Sequence, residues 1–377
     1  MIDSFSTATL ITTQPALQGL VDTLQREPII ALDTESNSMY AYRGRVCLIQ
    51  LSTRTHDYII DPFIVPDLSP LGAICSRQDI QKVFHAAEYD LICMKRDFGF
   101  DFKNLFDTMY AARITGKPEI GLSDLLKEHF DITPNKKHQL DNWGLRPLPA
   151  ESLHYAQMDT HYLIPLRDMY MEKLAQINAL NEAIEVFLDV ERIEAKEKEF
   201  DPEGFWRITR PNELNRKQMA FLAELFTMRE AIAEEEDKPP FKIIENRSLI
   251  ILAQKQPHNR RELQAANAIS ARQLRLYGDD ILEALERGRN NKPPSPPKAP
   301  RLDSLLSERY IALHAWRKEC AIKRGVDSNI IMTKSTLWEI AGLKPKTLEE
   351  LSVIEGIGAW RLATYGEELL ALVQSLR

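Results

Sequence analysis

Five side chains spread over the first 160 residues have types and spacings that could do chemistry together. Asp33 and Glu35 close the run Ile29-Ile30-Ala31-Leu32-Asp33-Thr34-Glu35, and Asp90 closes Val83-Phe84-His85-Ala86-Ala87-Glu88-Tyr89-Asp90. Tyr155 and Asp159 lie in His154-Tyr155-Ala156-Gln157-Met158-Asp159. Two positions apart on a strand, Asp33 and Glu35 project from the same face. Carboxylates this close repel one another and call for compensating cations. An Asp-x-Glu alone also fits a solvated strand end; the buried run before it and the other acids favour a carboxylate cage. Such a cage suits two hard divalent ions. Ions ~3.5–4 Å apart can activate water and stabilise the leaving oxygen when a phosphodiester is displaced in line. Tyr155 and Asp159 are four apart and share one face of a helix. Asp159 would complete the cage. The Tyr155 phenol, a poor base at neutral pH with a pKa near ~10, would position the attacking water.

The elements that must hold these groups are readable in outline. Thr9–Thr12 is a short strand, and a helix is expected over Pro15–Arg26, with proline early in it, where it is tolerated. The apolar run Pro28–Asp33 predicts a strand buried on both faces. Val46–Ser52 and Tyr58–Asp61 read as the next strands, joined by a polar turn, and Gln81–His85 as another, followed by a helix over Glu88–Asp97. Three neighbouring strands followed by strand–helix alternation predict a mixed sheet with helices packed on it, an α/β domain. Beyond Gly121 the spacing is helical. A long helical stretch is expected from Ala150 to Glu199, interrupted at Pro165 and ending in a charged, solvated connector.

The 377 residues suggest two or three domains. With 44% hydrophobic and 27% charged residues the composition is that of a soluble globular chain, and no apolar run approaches the ~20 residues of a membrane span. Met1-Ile2-Asp3-Ser4-Phe5 does not begin a secretory signal. Cys47, Cys75, Cys93 and Cys320 form no Cys-x-x-Cys pair, which argues against structural zinc and for free thiols in a reducing cytoplasm. Net charge is −7, unevenly spread: residues 1–200 hold 20 basic and 30 acidic side chains, residues 201–377 hold 28 and 25. The acid excess lies where the cage would be, and bound cations would offset part of it.

The proline-rich segment 292–300 reads as a stiff linker between two helical modules. The modules share an order of motifs. The first has Met228-Arg229-Glu230, Leu249-Ile250-Ile251-Leu252-Ala253 and Leu276-Tyr277-Gly278; the second has Ala315-Trp316-Arg317, Leu337-Trp338-Glu339-Ile340-Ala341 and Thr364-Tyr365-Gly366. This suggests a duplication. In the second, Ile354-Glu355-Gly356-Ile357-Gly358 precedes a helix, and such a turn suits a phosphate at a helix N-terminus. The first has Asn267-Ala268-Ile269 there, without the glycines, although Lys242, Arg260, Arg261, Arg272 and Arg275 could form a basic face.

Leu32-Asp33-Thr34-Glu35, Tyr89-Asp90 and Tyr155-x-x-x-Asp159 resemble, in order, the three motifs of the DEDD exonucleases, with the tyrosine that marks the DEDDy branch. Val46–Ser52, Leu105-Phe106-Asp107-Thr108 and Trp143-Gly144-Leu145-Arg146-Pro147-Leu148 resemble the ribonuclease D family, and the two helical modules resemble HRDC domains. The resemblance implies an RNase H-like exonuclease domain over residues 1–200, with its connector helix. It implies HRDC-like domains over 208–291 and 301–377, joined by the 292–300 linker. It further implies a cytoplasmic, monomeric 3′→5′ exoribonuclease acting on tRNA precursors and other structured RNAs with 3′ tails. Asp33, Glu35, Asp90 and Asp159 become ligands of Mg²⁺ or Mn²⁺, Asp33 bridging two ions, and Tyr155 aligns water. Substrate contacts are expected from Met39 and Tyr40 beside the terminal nucleotide, and from Gln50 and His85 in the cleft. Trp143 and Arg146 would meet the RNA, and Gly356 and Gly358 a phosphate. Core packing is an equal alternative for Trp143, and a structural histidine the better one for His85. Two rival readings are a DNA 3′→5′ exonuclease and a non-catalytic RNA-binding scaffold.

Overall fold

A computed structural model describes residues 6–195, 199–297 and 303–376. Its sheet has six strands: β1 (Thr9–Ile11), β2 (Ile29–Ser36), β3 (Val46–Ser52), β4 (Asp57–Ile60), β5 (Gln81–Phe84) and β6 (Leu105–Asp107). The spatial order is β1-β4-β3-β2-β5-β6. β2–β3 and β3–β4 are antiparallel, whereas β1–β4, β2–β5 and β5–β6 are parallel, so the sheet is mixed as the sequence predicts. The three-residue strand β6 carries no pattern of its own length and was not foreseen; it exists because β5 offers it a parallel partner.

Eight helices accompany the sheet: α1 (Gln14–Leu24), α2 (Ser69–Cys75), α3 (Glu88–Phe98), α4 (Thr108–Ile114), α5 (Leu122–Phe130), α6 (Ala150–His161), α7 (Leu163–Gln176) and α8 (Leu180–Glu191). The helical stretch expected from Ala150 to Glu199 does break close to Pro165, at Tyr162; it breaks again between Gln176 and Leu180, giving three helices, and stops at Glu191. The third ends at Glu191 because its terminus is tied down. Lys95 Nζ donates to the carbonyls of Glu191 (2.6 Å) and Ile193 (2.9 Å), a cation on the negative end of a helix. Glu191 in turn accepts the Leu105 N–H of β6 at 2.7 Å. Residues 196–198 of the expected connector lie outside the described residues.

The first module comprises α9 (Arg216–Glu235), α10 (Pro240–Ile243), α11 (Asn246–Lys255), α12 (Arg260–Ala265) and α13 (Ala271–Asn290). The second comprises α14 (Ser304–Arg324), α15 (Ser328–Ile331), α16 (Lys334–Leu343), α17 (Leu348–Ser352) and α18 (Ala359–Ser375). Each has its own apolar core, around Phe221, Leu249 and Ile281 in one and Leu313, Leu337 and Leu369 in the other. Residues 292–297 have no regular secondary structure, and the end of the proposed linker, 298–300, lies outside the described residues. The chain divides into two compact units. One is Met1–Ser36, Val46–Lys196 and Arg301–Arg377; the other is Asn37–Arg45 with Glu197–Pro300. The second module thus shares a unit with the sheet. Among the described residues no helix is long and apolar enough to cross a membrane, and all four cysteines are buried and free.

Candidate active site

Antiparallel register places Asp33 opposite Gln50 and Glu35 opposite Leu48, so these four share one face of the β2–β3 ladder. Helix α6 lies over that face. Ser52 Oγ meets Thr160 Oγ1 of α6 at 2.7 Å. Asp57 at the start of β4 accepts from Ser52 Oγ (2.6 Å), Gln157 Nε2 (2.7 Å) and His161 Nδ1 (2.7 Å). These bonds fix the roll of α6, and with it Tyr155 and Asp159, one helical turn apart.

Asp90 arrives from α3. Both the backbone N–H of Thr34 (3.1 Å) and its hydroxyl donate to Asp90 Oδ1, locking the second motif to the first. The turn before α3 is held by Asp107, whose carboxylate accepts from the N–H groups of Ala86 (3.2 Å), Ala87 (2.8 Å), Met109 (2.9 Å) and Tyr110 (3.1 Å). Asp107 is the N-cap of α4 and at the same time the clamp on the loop that aims Asp90.

The four carboxylates feel one another. Burial holds Asp33 well above the usual carboxylate range, reinforced by Asp90, Asp159 and Glu35. Burial, with Asp159 and Asp90, pushes Glu35 up to about 9. Burial raises Asp90 to about 7 despite the Thr34 bonds, and burial together with Asp90 raises Asp159 to about 7. Among the described residues, no three His, Cys, Asp or Glu side chains are drawn tightly enough around one point to hold an ion. The acids converge without closing. Crowded carboxylates that favour their protonated forms are a donor set whose repulsion a hard divalent cation would relieve.

Tyr155 packs against the buried Trp143, ring centroids 6.3 Å apart and inclined by 30°. Burial, then Asp159, Glu35 and Asp33, raise the phenol above its ordinary value, so it remains protonated. His85 Nδ1 lies 2.9 Å from Thr108 Oγ1, whose hydrogen goes to the Phe84 carbonyl at 3.0 Å. The imidazole therefore donates from Nδ1. Burial lowers it to about 4, so it is neutral at physiological pH.

Several expected substrate contacts are corrected. Trp143 is 1% exposed and forms part of the core beneath Tyr155, out of reach of RNA. Arg146 has no N–H to spare. Nε and Nη2 bind Asp61 at 2.5 and 3.0 Å, Nη2 also reaches the Cys47 carbonyl at 2.8 Å, and Nη1 takes the carbonyls of Trp143 and Leu145 at 2.7 Å. Gly356 and Gly358 do open a helix N-terminus, but a carboxylate already fills it. Glu185 of α8 accepts from the backbone N–H of Trp360 (2.6 Å) and Arg361 (3.1 Å). A Cβ on Gly358 would collide with the Glu185 carboxyl, and one on Gly356, whose φ is +83°, with Thr336 Oγ1. Both glycines are thus explained by packing, without a phosphate. Met39 and Tyr40 are not among the corrected contacts; they belong to the other unit. There Met39 is half exposed and the Tyr40 ring carries Lys242 Nζ 3.8 Å from its centroid. Arg260 of the expected basic face is paired with Asp279 at 2.7 Å.

Sequence reasoning missed Thr34, Asp57, Asp107, Gln157 and Glu185, the groups that hold the site in place. Only Asp107 carried a local signal, as an N-cap residue ahead of a helix. The others are defined by partners 56 to 176 positions away.

Residues 8–175 match the family described as 3′-5′ exonuclease, and residues 218–285 and 307–373 each match the HRDC domain. The sheet, the four acids on it and the phenol beside them therefore define a chain of the 3′-5′ exonuclease class with two HRDC domains. At 27% identity it matches ribonuclease D of Gluconacetobacter diazotrophicus over 98% of this chain and 93% of that one. It superposes on Escherichia coli RNase D with a TM-score of 0.67 and 26% identity, over 98% of this chain and 99% of that one. It is 34% identical to an exosome complex component 10 homolog of Caenorhabditis elegans over 67% of its own length, but spans only 29% of that protein. Over nearly its whole length the chain is thus similar to ribonuclease D.

Proposed function

We propose that the protein is a 3′→5′ exoribonuclease that trims 3′ ends of tRNA precursors and other structured RNAs, releasing nucleoside 5′-monophosphates. One observation carries this reading. Burial, then neighbouring acids, raise the proton affinity of Asp33, Glu35, Asp90 and Asp159 beside a protonated phenol, and no protein cation is among the causes. Its support from relatives is that the E. coli protein is described as an exoribonuclease involved in structured RNA processing.

In this reading the four carboxylates hold two Mg²⁺ or Mn²⁺ ions. Bound there, the ions would supply Lewis acidity, a more acidic water and charge neutralisation at the leaving oxygen. The residues of the chain set the geometry. Thr34 fixes Asp90, Asp57 fixes α6, and Trp143 backs the Tyr155 ring so that its hydroxyl can orient water. The phenol does not take the proton, because burial and three neighbouring acids disfavour its anion. His85 presents a neutral imidazole in the cleft. The protein acts as a cytoplasmic monomer.

The test is a 5′-labelled tRNA with a short single-stranded 3′ tail, incubated with Mg²⁺ or Mn²⁺ beside a matched DNA strand. Stepwise loss of nucleotides from the RNA is expected, abolished by Asp33→Asn. Tyr155→Phe should bind RNA normally and turn over far more slowly. No shortening with either ion, or equal loss from Asp33→Asn and wild type, would show the reading to be wrong.

A further inference from the structure

Gln50 lies in the middle of β3, wholly buried, and among the described residues neither its side-chain nitrogen nor its oxygen is hydrogen-bonded. An amide in that condition has lost its water and gained nothing, which costs more than a typical hydrogen bond returns. Its position narrows what the missing partner is. Register pairs Gln50 with Asp33, so both side chains leave the ladder on the same face. The next residue of β3 on that face, Ser52, is already satisfied by Asp57 and Thr160. The previous one, Leu48, packs with Ile59, Trp143 and Ala156 in an apolar cluster. The polar groups left without protein counter-charges on this face are the carboxylates of the site.

We propose that Gln50 is the positioning residue for Asp33, its carboxamide engaging the Asp33 carboxylate when the site is loaded with divalent cation. The inference rests on the metal-dependent reading given above. An amide N–H donated to a metal-binding carboxylate is a charge-assisted bond, stronger than one between neutral groups. Groups that orient metal-binding carboxylates in this way commonly control affinity as much as the ligands do. Loading would give the Gln50 NH₂ group the acceptor it lacks among the described residues, so Gln50 favours the loaded site.

The experiment compares full-length wild type, Gln50→Met, Gln50→Ala and Asp33→Asn by calorimetric Mn²⁺ titration and by thermal unfolding in chelator. Methionine keeps the length of the side chain and removes both unpartnered atoms. Gln50→Met should melt no lower than wild type in chelator, yet bind Mn²⁺ roughly 10- to 100-fold more weakly. Gln50→Ala should show the same loss of affinity, with a lower melting temperature from the cavity. Wild-type Mn²⁺ affinity in Gln50→Met would overturn the proposal. So would a melting temperature well below wild type in chelator, since the amide would then have its partner within the metal-free protein. If Asp33→Asn binds Mn²⁺ like wild type, it is the metal-dependent reading that fails. If Asp33→Asn loses binding and Gln50→Met does not, only the role of Gln50 does.

Discussion

Two clusters of acidic side chains sit in the same unit and have been treated in opposite ways. Over the sheet, where Asp33 and Glu35 of β2 meet Asp90 of α3 and Asp159 of α6, burial and neighbouring acids raise the proton affinity of all four. On α8, Glu182, Glu185 and Asp189 fall at positions i, i+3 and i+7, one helical face, and every one meets a protein partner. Arg324 grips Glu182 with two bonds of 2.5 and 2.6 Å, Arg361 reaches Asp189 at 2.6 Å, and Glu185 takes the open N-terminus of α18. The acids of α8 are mortar between the exonuclease domain and the second helical module. Those on the sheet are left for a cation from outside. Acidity alone does not mark a functional site; acidity without an internal partner does.

The sharpest way to break this contrast is to remove one acid from each cluster. Asp33→Asn should lower exonuclease turnover on a 3′-tailed RNA by roughly a thousandfold, the several kcal/mol that a metal contributes to transition-state charge. Its folding stability in chelator should hold or rise, because a neutral amide replaces an acid whose charge burial and its neighbours disfavour. A stability loss there would mean that the cluster on the sheet is structural after all.

On α8 the expectation is reversed. Arg324→Met leaves Glu182, only 2% exposed at its side chain, without its cation. Urea unfolding should show a loss of about 3 kcal/mol, at the low end for a buried pair because Arg324 is 30% exposed. The double variant Glu182→Met with Arg324→Met should recover most of that loss, as apolar replacements of whole buried pairs often do. If the double variant is as unstable as the single one, α8 contributes more than this pair.

The clusters should also differ in their pH response. The carboxylates on the sheet bind protons more tightly in the folded chain than in the unfolded one, with Asp90 and Asp159 near about 7 and Glu35 near about 9. Between about pH 5 and pH 9 the folded state therefore holds more protons, and stability in chelator should fall as pH rises. A change of at least about 1.4 kcal/mol, the equivalent of one pKa unit, is expected. Saturating Mg²⁺ or Mn²⁺ should flatten the slope, and melting curves at several pH values with and without metal would show it. A metal-independent slope would place its source elsewhere.

The smallest effect comes from the two helical modules. The last helix of the first is closed by its own Ser270, in a reciprocal capping box with Gln273. The corresponding helix of the second has Gly358 at its cap and borrows Glu185. Ser270→Ala should cost about 1 kcal/mol, an ordinary cap. Glu185→Ala should cost more, and partial recovery in acetate would identify the vacated N-terminus as the reason. The glycine-rich turn that looks prepared for phosphate is thus the module with the occupied site, whereas the turn without glycines needs no visitor.

Much of this was written locally in the chain. The buried run of β2 placed Asp33 and Glu35 on one face, and the spacing of Tyr155 and Asp159 put them on one helical face. The mixed sheet followed from neighbouring apolar runs. These properties depend on periodicities of two and 3.6 residues, which a sequence displays directly. The tertiary structure alone decided which polar groups are already spent. Arg146 looked available for RNA and is consumed by Asp61 and three carbonyls. Gly358 looked open to phosphate and is filled from α8. Gln50 looked like one more cleft residue and is the buried amide without a partner. Hydrogen bonding saturates, and its partners come from segments distant in the chain. A residue's type therefore announces what it can bind, while only the fold determines whether it is still free to do so.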